Sequence, residues 1–266
     1  MRKWCKRLYI ALLIIVPVYL GGLYLLQNHF MFFPDRYYAS PQDIELTDFK
    51  EIALTAEDGN PIRLWYAVGD KTKPAVLFLH GNAGQIATFA NQLHVLVQAG
   101  YGVLAMEYRS FAQMPGTIRQ AVIFKDAARA FDFLQQQGYP KIVVYGYSFG
   151  SAFAAGLTSL RPADGLILTS PFYSLEKLVS EKPIPFARWM LRDKYPSYQY
   201  ISQFTKPLLI IHGKQDMLIP YHHAEQLFER ASMADKQLYV LDGNDHVTVY
   251  FDGTNLPYIL QFLQKF

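Results

Sequence analysis

Cysteine is nearly absent. Cys5 is the only one in 266 residues, which excludes an internal disulfide framework and any cysteine-based metal cluster. A chain without structural cysteines can work on either side of a membrane, so the redox compartment stays open. Cys5 itself, next to an apolar run, reads as a bystander rather than a lipid attachment point. Charge is also scarce, at 18% of residues against 51% hydrophobic and 15% aromatic, and that balance excludes a disordered tail. The net charge of +3 is concentrated in Arg2, Lys3, Lys6 and Arg7, which leaves about −1 for everything else. A near-neutral body lacks the basic footprint that nucleic acid requires, so no nucleic-acid partner is expected. Internal repeats and low-complexity segments are missing too, and the length suits one α/β domain with a short appendage.

What is present begins with an uncharged stretch from Leu8 to Leu26, LYIALLIIVPVYLGGLYLL. At ~1.5 Å per residue it spans roughly 28 Å, close to a hydrocarbon core of ~30 Å. Pro17 and Gly21–Gly22 would weaken a soluble helix but are tolerated in a spanning one. A cleaved signal peptide has a shorter apolar core and a small-residue exit, whereas Leu23-Tyr24-Leu25-Leu26-Gln27 follows here. Residues 1–29 are therefore expected to be a membrane anchor, and residues 30–266 a folded body. Four basic residues precede the run, and Asp35 and Arg36 after it cancel. The positive-inside rule puts the N-terminus in the cytoplasm and the body outside it, periplasmic in a bacterium. The aromatic stretch Phe30 to Tyr38 is expected at the membrane interface.

Beyond the anchor, Phe49–Ala56 and Ile62–Val68 read as strands separated by the turn signal Asp58-Gly59. Continuous apolar runs follow at Ala75–Leu79, Val103–Met106, Ile142–Tyr145, Leu166–Leu168, Leu208–Ile211 and Leu238–Leu241, as strands buried on both faces of a parallel sheet require. Helical spacing links Ile86, Phe89, Ala90 and Leu93, then Ala127, Ala130, Phe131 and Leu134, and later Ala224, Leu227, Phe228 and Ala231. The fold class is thus α/β, a mostly parallel sheet flanked by helices. From about Phe172 to Phe204 the rhythm breaks at Lys182-Pro183-Ile184-Pro185, which reads as a short helical insertion over the carboxyl edge of the sheet.

Ile142-Val143-Val144-Tyr145 runs directly into Gly146-Tyr147-Ser148-Phe149-Gly150. A G-x-S-x-G pattern puts its serine on a tight strand-to-helix turn, which leaves no room for bulk two residues away on either side. An alcohol nucleophile needs a base, and the base needs an orienting carboxylate, in the chain order Ser, acid, His. Of the downstream histidines, His212 ends a buried strand and His222 and His223 begin a helix, which suits solvated or structural roles. His246 lies in a loop after the last strand and is the expected base. Asp216, at the carboxyl end of LLIIHGKQD, is preferred as the acid over Asp193, Asp242, Asp245 and Asp252. Negative charge on a tetrahedral intermediate needs N–H donors, for which the amides of Asn82, in His80-Gly81-Asn82-Ala83-Gly84, and Phe149 are expected. His80 is expected to buttress its loop.

Four motifs stand in order: LHGNAG, EYRS, GYSFG, and IHGKQDMLIP with GNDH. On these the chain resembles the α/β-hydrolase superfamily over about residues 45–266, and more narrowly the membrane-anchored group related to α/β-hydrolase domain protein 13. SPFYSLEKL and ARWMLRDKYPSYQYI are similar to that group's segment before the acid strand. Relatives commonly carry Gly-Tyr-Gly after the EYR-like motif, where this chain has Ser110-Phe111-Ala112. The resemblance implies a serine hydrolase acting on esters, lipids or acyl groups, with Ser148, Asp216 and His246 catalytic and no metal or organic cofactor. An apolar acyl pocket is expected from Phe111, Phe172, Tyr173, Phe186, Trp189, Met190 and Leu218, and the membrane is the expected partner through residues 8–26. A peptidase or amidase of prolyl-oligopeptidase type and a non-catalytic membrane scaffold are the alternatives.

Overall fold

A computed structural model describes residues 2–266. It opens with α1 (Arg2–Met31), a 30-residue helix that contains Pro17 and is long and apolar enough to cross a membrane. Then come β1 (Phe33–Pro34), β2 (Lys50–Thr55), β3 (Pro61–Ala67), β4 (Ala75–Leu79) and β5 (Ala83–Gly84). Helices and strands alternate next: α2 (Ala90–Gln98), β6 (Gly102–Met106), α3 (Gln120–Gln136), β7 (Ile142–Tyr147), α4 (Phe149–Leu157) and β8 (Gly165–Thr169). The insertion holds three short helices, α5 (Leu175–Ser180), α6 (Ala187–Met190) and α7 (Ser197–Gln203). The chain finishes with β9 (Leu208–Gly213), α8 (His222–Arg230), β10 (Lys236–Leu241), α9 (Thr248–Phe251) and α10 (Leu256–Leu263).

Eight strands form one sheet in the order β10-β9-β8-β7-β4-β6-β3-β2. Only the β2–β3 and β3–β6 pairs are antiparallel. Alternation along the strands sorts the core into two layers. Ala75, Leu77 and Leu79 of β4 face a layer with Phe131 of α3 and Phe153 of α4, whereas Val76 and Phe78 face Leu93 of α2 and Phe262 of α10. Burying each such large side chain contributes about 1.5–3 kcal/mol. Exposed pairs such as Lys125–Glu57 contribute at most ~1 kcal/mol, so the two-layer core dominates stability.

Two expectations change. Ile86–Phe89 forms a separate 3₁₀ turn, started by reciprocal Gln85–Thr88 capping, and the α-helix begins only at Ala90. The run Leu238–Leu241 is only half-buried, because β10 is an edge strand paired with β9 alone. The aromatic stretch after α1 is joined to the body. Phe32 is buried with its ring 4.8 Å from that of Phe149, and β1 pairs in parallel with β5.

The insertion is tied to α8 by Glu181, which takes the Nε2 of His222 at 3.2 Å and that of His223 at 3.1 Å. These three residues bring ligand atoms within 4.8 Å of one another, close enough for a metal. The Tyr173 N–H, however, donates to His223 Nδ1 at 3.3 Å. That leaves the proton of a neutral imidazole on Nε2, facing Glu181, so the group closes on itself as a hydrogen-bonded clasp.

The loop after β6 accounts for the missing glycines. Ser110, Ala112 and Gln113 all have positive φ, at 69°, 44° and 63°, a region that costs L-residues roughly 1–2 kcal/mol each. Phe111 between them is fully buried, with its ring 5.4 Å from His80. Arg109, bidentate to Asp126 at 2.7 and 2.9 Å, secures the start of the loop. Gln113 is exposed, so Gln113→Gly is expected to raise stability by up to about 1 kcal/mol, read as a higher midpoint in denaturant unfolding.

At the other extreme, β7, α4 and β4 meet with no space to spare. A Cβ on Gly150 would lie 2.0 Å from the Leu79 carbonyl oxygen, and one on Gly146 would lie 2.3 Å from that of Gly150. Both obstacles are backbone. Gly150→Ala is therefore expected to cost on the order of 3 kcal/mol or more; thermal unfolding within a degree of wild type would contradict this packing.

Candidate active site

The close approach described above forces Ser148 into its conformation. Its φ of 53° and ψ of −120° are strained for a non-glycine residue, and they are held by hydrogen bonds on both sides. The Ser148 N–H donates to the Thr169 carbonyl at 2.8 Å, while the Ser148 carbonyl accepts from the Ser151 N–H at 2.9 Å and its hydroxyl at 2.5 Å. The turn lifts the Ser148 side chain away from both β7 and α4.

His246 comes from the loop between β10 and α9. Its Nε2 lies 2.9 Å from Ser148 Oγ and its Nδ1 lies 2.6 Å from Asp216 Oδ2. The loop is shaped by Asp245, whose Oδ1 accepts from the Val247 and Thr248 N–H groups at 2.9 and 2.8 Å. That occupation removes Asp245 as a rival acid. Asp193 is paired with Arg119 at 2.8 Å and Asp242 with Lys214 at 2.8 Å, both away from His246. The Tyr147 hydroxyl donates to the His246 carbonyl at 2.9 Å and so braces the base from below.

Asp216 is buried at the end of β9 with four donors around it. Leu218 and Ile219 N–H groups donate to Oδ1 at 2.9 and 2.8 Å, and His212 Nε2 lies 3.2 Å from Oδ2. Burial pushes its pKa up, but hydrogen bonds from His212 and His246, the nearby His246 charge and the Ile219 N–H outweigh burial. The carboxyl is held well below the usual range and stays ionised. His212, fully buried, also reaches the Ile219 carbonyl at 2.8 Å. It is structural rather than solvated, and it stands directly behind the acid. Burial, then the charges of Asp216 and Asp245, push the Tyr147 phenol far above its ordinary value, so it remains a neutral donor.

Asn82 lines the opening over Ser148, and Phe149 follows Ser148 directly in the chain. Among the described residues, neither backbone N–H donates to an internal acceptor. Phe149 opens α4, so its free N–H carries the positive end of the helix dipole. Asn82 is pinned by α1 and β1: its Nδ2 donates to the Met31 carbonyl at 2.6 Å, and its carbonyl accepts from Phe33 N–H at 2.8 Å. His80 supports this loop as expected, with Nε2 3.0 Å from Glu107 and its ring 4.0 Å from that of Tyr108.

The opening over Ser148 is a cleft of about 360 Å³ lined mainly by Phe33, Asn82, Phe89, Leu218, Val247 and Phe251. This corrects the expected acyl pocket. Of the seven side chains expected to form it, Leu218 alone lines the cleft. Phe111 and Phe172 are fully buried in the core, and Tyr173 stacks on Tyr198 at 4.7 Å. Trp189 is 60% exposed and borders a separate groove with Phe186. The cleft aromatics missed by sequence reading come from the segment after α1, from the 3₁₀ turn ending at Phe89 and from α9. Val247 and Tyr147 flank His246 and Ser148, a signal that was available; Phe33 carried none.

Comparison with known proteins agrees with this architecture. The model of a family described as serine aminopeptidase, S33, matches residues 70–203 and 199–252. The uncharacterized protein YfhR of Escherichia coli (strain K12) is 28% identical over 239 residues, covering 84% of this chain and 81% of that protein. The lysophosphatidylserine lipase ABHD12 of Xenopus tropicalis is 29% identical over 193 residues, 64% of this chain and 50% of that one. Among solved structures, the Pyrococcus furiosus esterase Pf2001 superposes with a TM-score of 0.72 at 21% identity, covering 89% of this chain and 98% of that one. The chain belongs to the serine aminopeptidase, S33, family and is a serine hydrolase of the α/β-hydrolase fold.

Proposed function

We propose that the protein is a membrane-anchored hydrolase that cleaves carboxylic esters or thioesters of lipid or acyl substrates through an acyl-Ser148 intermediate. The observation that carries this reading is the hydrogen-bonded series from Ser148 through His246 to Asp216 at the floor of an apolar cleft. Ser148 Oγ attacks the acyl carbon as its proton passes to His246 Nε2, and the carbonyl electron pair moves onto oxygen. The Asn82 and Phe149 N–H groups receive that oxyanion. Collapse breaks the bond to the leaving oxygen or sulfur, which takes the proton from His246. Water then repeats the sequence on the acyl-enzyme, and carboxylate leaves. Asp216, ionised throughout, holds the imidazole in the tautomer that presents a bare Nε2 to the serine.

Substrate class follows from the lining. Phe33, Phe89, Leu218, Val247 and Phe251 are apolar, and among the described residues none that lines the cleft bears a carboxylate. An aminopeptidase needs an anion to receive the substrate ammonium group, so this cleft favours an acyl chain. The lipase and esterase named among the similar proteins support the same choice. Residues 1–29 form the anchor and 30–266 the catalytic domain, with the basic N-terminus in the cytoplasm and the body outside it. A reporter fused after Phe266 tests this: activity only in the cytoplasm would overturn the orientation.

A fluorophosphonate probe is expected to label the wild type and not Ser148→Ala, with kcat for ester hydrolysis falling about 10⁴-fold or more. Persistent labelling of that variant sinks the mechanism. With Asp216 charged at all working pH values, kcat/KM should fall with a slope of one, not two, as pH drops toward 4. In a matched panel of p-nitrophenyl esters and aminoacyl p-nitroanilides, faster turnover of the anilides would establish the peptidase reading instead.

A further inference from the structure

The lower half of the apolar helix is not free of the body. Tyr19, within the uncharged run, donates its hydroxyl to the Pro185 carbonyl at 2.9 Å. Further along, Gln27 Nε2 donates to the Met190 carbonyl at 3.1 Å, and Gln27 Oε1 accepts from Arg192 N–H at 2.9 Å. The insertion from Pro185 to Arg192 therefore runs alongside α1 from Tyr19 to Gln27. Tyr19 lies ~10 Å inside the end of the run at Leu26, at about 1.5 Å per residue. The part of the run before it, Leu8 to Val18, supplies only roughly 16 Å, about half of a ~30 Å hydrocarbon core. A bilayer crossed by α1 must also take in the stretch from Tyr19 to Leu26, and whatever is fixed to that stretch goes with it.

What is fixed there is apolar on its outer side. Ile184, Phe186 and Trp189 are 47%, 53% and 60% exposed. Phe186 and Trp189 rings lie 5.8 Å apart, and Phe186 holds a left-handed φ of 63°. Arg188 lies over the Trp189 ring at 4.5 Å, an arrangement that suits the boundary between acyl chains and headgroups. From this shoulder the surface leads to the cleft. Lys182 Nζ donates to the Leu218 carbonyl at 2.8 Å. Leu218 is half exposed and lines the cleft, and Met217 beside it is 86% exposed.

We propose that residues 183–189 are a membrane-embedded shoulder, with Ile184, Phe186 and Trp189 among the acyl chains of the outer leaflet beside α1. This inference rests on the reading of α1 as a membrane anchor and deepens it: the insertion sets the depth of the body and turns the Leu218 side of the cleft toward lipid. The substrate class it implies is a lipid drawn directly from the bilayer rather than one delivered through water.

The test uses the full chain, carrying Cys5→Ser, in phosphatidylcholine vesicles. Single variants Leu13→Cys, Phe186→Cys and Val68→Cys are labelled with an environment-sensitive fluorophore and challenged with nitroxide-bearing lipid and aqueous iodide. Lipid quenching at residues 13 and 186, with iodide quenching at 68, supports the proposal. Lipid quenching at 13 but iodide quenching at 186 overturns the shoulder and leaves the anchor intact. Iodide quenching at 13 removes the anchor reading, and the shoulder with it. In activity assays, Ile184→Asp with Phe186→Asp is expected to lower hydrolysis of vesicle-borne lysophospholipid at least tenfold while leaving a soluble short-chain ester unaffected. An equal effect on both substrates, or on neither, counts against it.

Discussion

The contact between the end of β7, the start of α4 and the backbone of β4 is the constraint from which the site follows. Gly146 and Gly150 have no room for a Cβ because backbone oxygens stand 2.3 and 2.0 Å from where one would be. Helix and sheet therefore pack closer here than side chains would permit. The chain can turn between them only by straining the residue in the middle, and that residue is Ser148. Two features of the site come from this single approach: a hydroxyl raised above the sheet, and the free N–H of Phe149 directed beside it at the start of a fully buried helix. Strain of about 1–3 kcal/mol at one residue is small against the buried layers on both faces of the sheet, which is why the turn persists.

Asn82 joins this site to the N-terminal helix. Its side chain holds the last turn of α1, its carbonyl holds Phe33, and its own N–H has no internal acceptor among the described residues. The Phe33 side chain is a wall of the same cleft. α1 is thus part of the site's construction as well as its candidate tether. Movement of α1 relative to the body would displace both a proposed oxyanion donor and the cleft wall. Phe32 adds to this coupling by packing its ring over that of Phe149.

Most of the sheet was legible because parallel strands buried on both faces leave unbroken apolar runs, as in Ala75–Leu79 and Leu208–Ile211. Ser148, Asp216 and His246 were legible for a related reason: each sits just beyond the carboxyl end of an apolar run, buried in β7 and β9 and half-buried in β10. The cleft walls were not. Hydrophobicity says that Phe111, Phe172 and Phe251 avoid water, but not whether each meets the core or a substrate. Phe111 and Phe172 went to the core, while Phe251 and Phe33 line the opening. Left-handed conformations at Ser110, Ala112 and Gln113 were also hidden, because those residue types do not announce positive φ as glycine does.

His212 marks the boundary between the two kinds of information. Its position four residues before Asp216 was plain, yet its role depends on how the chain turns after β9. Because that turn brings the Ile219 carbonyl to Nε2 at 2.8 Å, the imidazole proton is held toward the carbonyl and the carboxylate together. Asp216 then receives donors on both oxygens from its own loop and from behind, and keeps its remaining direction for His246. A carboxylate so surrounded pays for its burial with hydrogen bonds rather than with solvent. It can stay charged at a buried position, which is what orienting the proposed base beneath an apolar cleft requires.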